Sequence, residues 1–195
     1  MTRRTHAAAC LALFALPALP LPAGSQGRPD FAALMAAQRA ALRPLTALDG
    51  VWRGTARVLE PDGKWLELTQ TERVGYMLDS TVKVIEGRGY DATGKTVFNA
   101  FAILAWEANR KSFEFRSYTR GLRGDYLFTP TDSGFVWDIP TGPMTIRHTA
   151  TVRGGRWREV GDRIVAGQPP VRFIEMDLRR VGDTDWPAGG VVPPR

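Results

Sequence analysis

From Gly50 onward the chain alternates apolar and polar side chains with a period of two, and turn chemistry interrupts that alternation nine times. A period of two marks a half-buried strand, whose successive side chains point to opposite faces. The interruptions are Glu60-Pro61-Asp62-Gly63, Gly75, Asp91 to Lys95, Ala108 to Lys111, Gly121 to Gly124, Thr131 to Gly134, Thr141-Gly142-Pro143, Gly154-Gly155 and Gly167 to Pro170. They predict ten strands near 51–59, 64–74, 77–89, 96–106, 112–119, 125–129, 135–139, 144–152, 156–166 and 171–181. Connections this short join antiparallel neighbours, because a parallel crossover takes about a dozen residues or more. Ten such strands leave two long free edges unless the sheet curls round on itself. The sequence therefore predicts an all-β fold, a ten-stranded antiparallel up-and-down barrel, with a two-sheet sandwich as the competing arrangement.

Ahead of the strands, Phe31, Leu34, Met35 and Leu42 fall at helical spacing, with Asp30 placed as an N-cap and Pro44 as a stop. They predict a short helix near 30–43 that docks on the barrel or, less simply, acts as a lid. Further upstream, Arg3-Arg4 is followed by an apolar run from Ala7 to Leu21 and then by Pro22-Ala23-Gly24-Ser25. This is the order of a secretory signal. The run carries Pro17 and Pro20 and falls short of the roughly 20 apolar residues a membrane span needs. Residues 1–25 read as a signal peptide, 26–181 as one barrel domain with its helix, and 182–195 as a flexible tail. The expected location is periplasmic or secreted, with no permanent membrane anchor. Cys10 is the only cysteine and sits at the start of the apolar run, whereas a lipid-accepting cysteine would stand at its end. Its removal with the signal excludes disulfides, zinc-thiolate sites and cysteine nucleophiles.

The segment Leu48-Asp49-Gly50-Val51-Trp52-Arg53-Gly54 sets a Gly-x-Trp at the first strand, directly after the helix. It resembles the calycin superfamily, whose lipocalin, fatty-acid-binding and nitrobindin members begin their barrels in this way. The resemblance implies structural roles for Gly50 and Trp52, with an arginine such as Arg158, Arg172 or Arg179 packed on the indole. Asn99-Ala100-Phe101-Ala102, Trp157-Arg158-Glu159 and Glu175 to Arg180 extend the likeness to a bacterial domain family of unassigned function within that superfamily, over about residues 45 to 181. Nitrobindin-like relatives hold haem through a histidine on the final strands, but Val171 to Val181 contains none. Haem would have to be held by His148, from an earlier strand. No other cofactor is expected.

His148, the one histidine remaining after export, alternates in register with Met144, Ile146, Ala150 and Val152, on the face assigned to the interior. It reads as a satisfied core histidine or as a ligand-binding group. Glu159 follows on the next strand. A three-residue turn at Arg153-Gly154-Gly155 would set Glu159 opposite Thr149, so that a Glu–His dyad would need a bulge. Trp106, Trp137 and Trp157 are candidate cavity walls, if the aromatics do not fill the interior. The chain has 22 arginines and 4 lysines. A guanidinium fork recognises carboxylate or phosphate, and Arg116, in register with Glu114 and Tyr118, is the candidate inward anchor. Solvated charge along the outer wall is the plainer use of these arginines.

No phosphate-binding glycine loop, Gly-x-Ser-x-Gly elbow or second histidine for a zinc site is present in the expected mature chain. A net charge of +6 comes without a basic stripe interleaved with aromatics, which argues against nucleic acid as a partner. The reading is an exported barrel that binds a small hydrophobic or amphipathic ligand. One alternative is an enzyme using His148 as acid–base with Glu159 or Asp138; others are a haem-binding barrel and a structural envelope protein.

Overall fold

The computed structural model describes residues 29–186. The expected signal peptide and the tail beyond Trp186 lie outside the described residues. Helix α1 spans Phe31–Leu42, and the Asp30 side chain caps it by accepting the Ala33 N–H at 3.0 Å. Pro44 converts the helix to a 3-10 turn, Arg43–Leu48, which carries the chain to the barrel. Leu42, Leu45 and Leu48 are buried, while Phe31 and Leu34 are exposed. The anchoring stripe thus sits later in the chain than the helical spacing predicts.

Ten strands follow: β1 Gly50–Leu59, β2 Trp65–Met77, β3 Val82–Tyr90, β4 Thr96–Glu107, β5 Ser112–Thr119, β6 Leu122–Thr131, β7 Gly134–Thr141, β8 Met144–Arg153, β9 Arg156–Val165 and β10 Val171–Gly182. Each pairs antiparallel with its sequence neighbours, and β10 pairs with β1, so the sheet is a closed barrel. The two-layered alternative is set aside.

Two turns differ from expectation. Gly75 lies inside β2, where an added Cβ would meet Thr184 and Trp186 at 3.1 Å. The β2–β3 reversal falls instead at Leu78, Asp79 and Ser80, all with positive φ. Likewise β6 begins at Leu122, because Arg120 and Gly121 alone make the turn with φ of 48° and 77°. Of the tail expected from Gly182, the described residues include Asp185, which pairs with Arg73 at 3.2 Å, and Trp186, which packs edge-on to Phe101.

The helix end of the barrel is solid. Trp52 is buried and donates its indole N–H to Leu48 O at 2.9 Å, and Trp157 meets it edge-on at 5.8 Å. Among the described residues no arginine lies over the Trp52 ring. Of the three candidates, Arg172 pairs with Asp162 and Arg158 reaches Asp177, while Arg179 also stands close enough to lower the Asp177 pKa. Gly50 has a φ of 131°, and a Cβ there would meet the Arg180 side chain and Gly182 O at 2.7 Å.

A fully buried lysine joins the helix end to the wall. Lys83 pairs with Asp49 and holds its ammonium 3.5 Å from the Tyr76 ring centre, and the Tyr76 hydroxyl donates to Leu42 O at 3.2 Å. Burial pushes the Asp49 carboxyl above its ordinary value, and Lys83 opposes that shift. Removing one member of a buried pair strands the other. Lys83→Ala should therefore lower stability in urea unfolding by about 3–5 kcal/mol, while Lys83→Met with Asp49→Asn should recover most of the loss. A loss under about 1 kcal/mol for the single variant would show the pair to be dispensable.

Candidate functional site

Above the solid end the barrel encloses a cavity of about 670 Å³, within the range of roughly 300–1,000 Å³ typical of small-molecule sites. The aromatic supply makes its floor and does not fill it. Phe128 stacks on Phe135 at 4.8 Å, Phe115 leans on Phe128, and Trp157 closes on Phe135 edge-on. Above the floor the walls are mainly aliphatic, among them Ala56, Leu68, Ala102, Ile146, Ile174 and Met176. Arg120 and Arg163 line the mouth, near the turns opposite the helix, and lie over Phe98 and Phe173.

Between floor and walls runs a polar layer of Gln70 and Glu72 on β2, His148 on β8 and Glu159 on β9. Three of these four face a glycine across the ladder: Gln70 opposite Gly89, Glu72 opposite Gly87, and His148 opposite Gly161. A Cβ at Gly87 would stand 2.6 Å from Glu72 Oε1, and one at Gly161 would stand 3.3 Å from His148 Cε1. The missing side chains are the space into which the polar groups lie.

The β8–β9 hairpin turns in two residues, Gly154 and Gly155, both with positive φ, and not in the three the sequence suggests. Val152 therefore pairs with Trp157, and Glu159 falls opposite Ala150 in place of Thr149. A shift of one residue exchanges the faces of a strand. Glu159 thus shares the inner face with His148 as its diagonal neighbour, and no bulge is needed.

The His148 ring stacks on Trp137, with centroids 4.2 Å apart and planes 10° from parallel. Its Nδ1 lies 3.1 Å from Glu159 Oε1 but out of line, so the two are close without a directed hydrogen bond. The Glu159 carboxylate instead accepts the indole N–H groups of Trp137 at 3.4 Å and Trp157 at 3.1 Å. Glu72 is buried. Desolvation, reinforced by the negative charges of Glu159 and Glu86 and opposed by the Gln70 hydrogen bond, pushes its carboxyl up to about 8. A carboxylic acid that keeps its proton at neutral pH therefore shares one layer with the Glu159 side chain and the His148 ring.

His148, Glu159, Trp137 and Trp157 come together at this layer. The other expected residues do not join them. Arg116 and Tyr118 face outward: the inner face of β5 carries Phe113, Phe115, Ser117 and Thr119, and Arg116 binds Asp125 on the outer wall at 2.5 Å. Asp138 is likewise an outer residue, bound by Arg147 at 2.7 and 2.8 Å. Trp106 packs edge-on to Phe113 at the solid end, away from the cavity lining. Gln70 and Glu72 were missed because β2 is polar on both faces there. The signal is their shared parity with Leu68 and Val74, facing the glycines of Gly87-Arg88-Gly89.

The residues present fit haem poorly. The inner imidazole comes from β8, one of its faces is covered by Trp137, and Nδ1 stands against a carboxylate. Among the described residues no three metal-ligating side chains cluster, and no helix is long and apolar enough to cross a membrane.

The Glu72 acid makes stability depend on pH. It keeps its proton to about pH 8 in the fold, whereas the ordinary value is 4.5. The folded chain thus holds the extra proton, and this contribution is complete below the ordinary value and lost as pH rises through 8. Relative to Glu72→Gln, the protein should lose about 2–4 kcal/mol in urea unfolding between about pH 5 and 8. Parallel stability profiles for the two would contradict the buried, neutral acid.

No family model matches the chain, and no curated protein matches it. Among solved structures it is similar to the crystal structure of Rv2717c from M. tuberculosis, at 15% identity and a TM-score of 0.55. The match covers 72% of this chain and 97% of that one. At this identity the likeness is one of fold, a β-barrel compatible with ligand binding.

Proposed function

We propose that the protein is an exported, calycin-like barrel that binds a small hydrophobic or amphipathic molecule in its interior. The observation that carries this reading is the cavity of about 670 Å³, with mainly aliphatic walls and a polar layer at its inner end. A mostly apolar pocket with a few convergent polar groups gains affinity from buried area and orientation from its hydrogen bonds. His148, Glu159 and the indoles of Trp137 and Trp157 would orient the guest, together with Gln70 and Glu72. The export half of the proposal rests on Arg3-Arg4 and the apolar run Ala7 to Leu21. The outer wall suits a water-facing barrel. Arg57–Glu175, Arg116–Asp125, Arg147–Asp138 and Arg172–Asp162 are cross-strand ion pairs on it.

One geometric observation favours a second reading, an enzyme with His148 as acid–base: Nδ1 stands 3.1 Å from the Glu159 carboxylate. Such an enzyme would convert a compound bound in the cavity, and His148→Ala would bind the compound without converting it.

A filling substitution tests the binding reading. N-phenyl-1-naphthylamine, which fluoresces in apolar surroundings, should bind the full chain with one-to-one stoichiometry. Ala102→Trp, which places an indole in the cavity, should weaken that binding at least ten-fold. Leu127→Ser, on the exposed outer wall, should leave it unchanged. Dye binding that survives Ala102→Trp, or that responds to Leu127→Ser, would move the site out of the barrel.

A further inference from the structure

The polar layer has a sign. Glu72 on β2 and Glu159 on β9 line the same cavity, close enough for the charge of one to act on the other. Among the described residues, the arginines and lysines lining that cavity are Arg120 and Arg163, each held over an aromatic ring at the mouth. None reaches the inner end. The carboxylate of Glu159 is held by two indole N–H groups, which orient it but bring no positive charge. The imidazole beside it is 8% exposed and stacked on Trp137, and its Nδ1 has no aligned partner.

We propose that the cavity selects an organic ammonium, a protonated amine carried on an apolar body and seated head-inward between Glu72 and Glu159. The inference rests on the binding reading above and adds the charge of the guest. An ammonium brings donors to carboxyl oxygens and to His148, and it supplies a fixed positive charge at an inner end that no described arginine or lysine reaches. The aromatic rings that line the cavity, Phe115 among them, add attraction for a desolvated cation that meets a ring face. A carboxylate or phosphate head placed there would meet the Glu159 carboxylate in a water-poor enclosure, where like charges repel strongly, and the protonated Glu72 beside it brings no compensating positive charge. The aliphatic walls above then take the body of the guest, and the mouth arginines remain clear of the ammonium.

A matched series tests this by calorimetry or by the emission of Trp137 and Trp157: decylammonium, decanol and decanoate at pH 6.5, each below its aggregation concentration. The expected order is decylammonium tightest, by at least ten-fold over decanol, and decanoate weakest. Glu159→Gln should remove most of the amine's advantage over decanol while decanol still binds, and the wild-type order stands as the test should that variant fail to fold. Decanol or decanoate binding as tightly as the amine would overturn the inference and leave a barrel that binds neutral or anionic guests. Failure of all three to bind would overturn the binding reading with it.

Discussion

The antiparallel seam between β1 and β10 runs from Val51 opposite Gly182 to Val58 opposite Ile174, and it turns a ten-stranded ladder with two free edges into a ring. Unpaired strand edges invite aggregation, and full closure removes them. Closure also divides the side chains: every second residue of every strand must face either the interior or water. Gly50, Gly54 and Gly182 lie along the seam, and a Cβ on Gly54 would meet Asp177 O at 2.1 Å. The first and last strands meet this closely only because β1 carries no side chain there.

Ten strands enclose more space than the aromatic residues occupy. The indoles and phenyl rings gather toward the helix end, where Trp52, Trp157, Phe113, Phe128 and Phe135 form one buried cluster with Leu42, Leu45 and Leu48. This plug takes the place of a second row of strands as the core, and it leaves the opposite end hollow. Polar groups on the inner face are tolerated because they converge on one another and on indole N–H groups, and because Gly87, Gly89 and Gly161 make room beside them. Buried polar groups are costly where a partner is missing, as at His148 Nδ1, and their concentration at one depth of the cavity distinguishes this interior from an apolar, packed one.

Much of this architecture was legible from period and turn chemistry, because strand alternation and short connections are local properties. The helix and the strand count follow from Asp30, Pro44 and the Gly, Pro and Asp clusters, whereas free edges only favour closure over a sandwich, and the β1–β10 pairing decides it. Facing and register were less legible, since each depends on a single residue of offset. Reading Gly154-Gly155 as part of a three-residue turn moved Glu159 to the wrong face, although two adjacent glycines are themselves the mark of a two-residue turn. Arg116 was misplaced for a related reason: the alternation of β5 has Phe113 and Phe115 inward, and their bulk decides the parity against the arginine. Glu72 was hidden by polar neighbours on both faces of its strand, and only its partner glycines across the ladder distinguish it.

Diffraction from crystals of the full chain under xenon pressure tests the account most directly, because xenon occupies enclosed apolar space without needing a matched head group. Xenon is expected within the barrel, against Ala102, Ile146 and Met176 and above the Trp137 ring, with β1 hydrogen-bonded to β10 around it. An interior filled by side chains with no xenon, or a sheet parted along the β1–β10 seam, would contradict it.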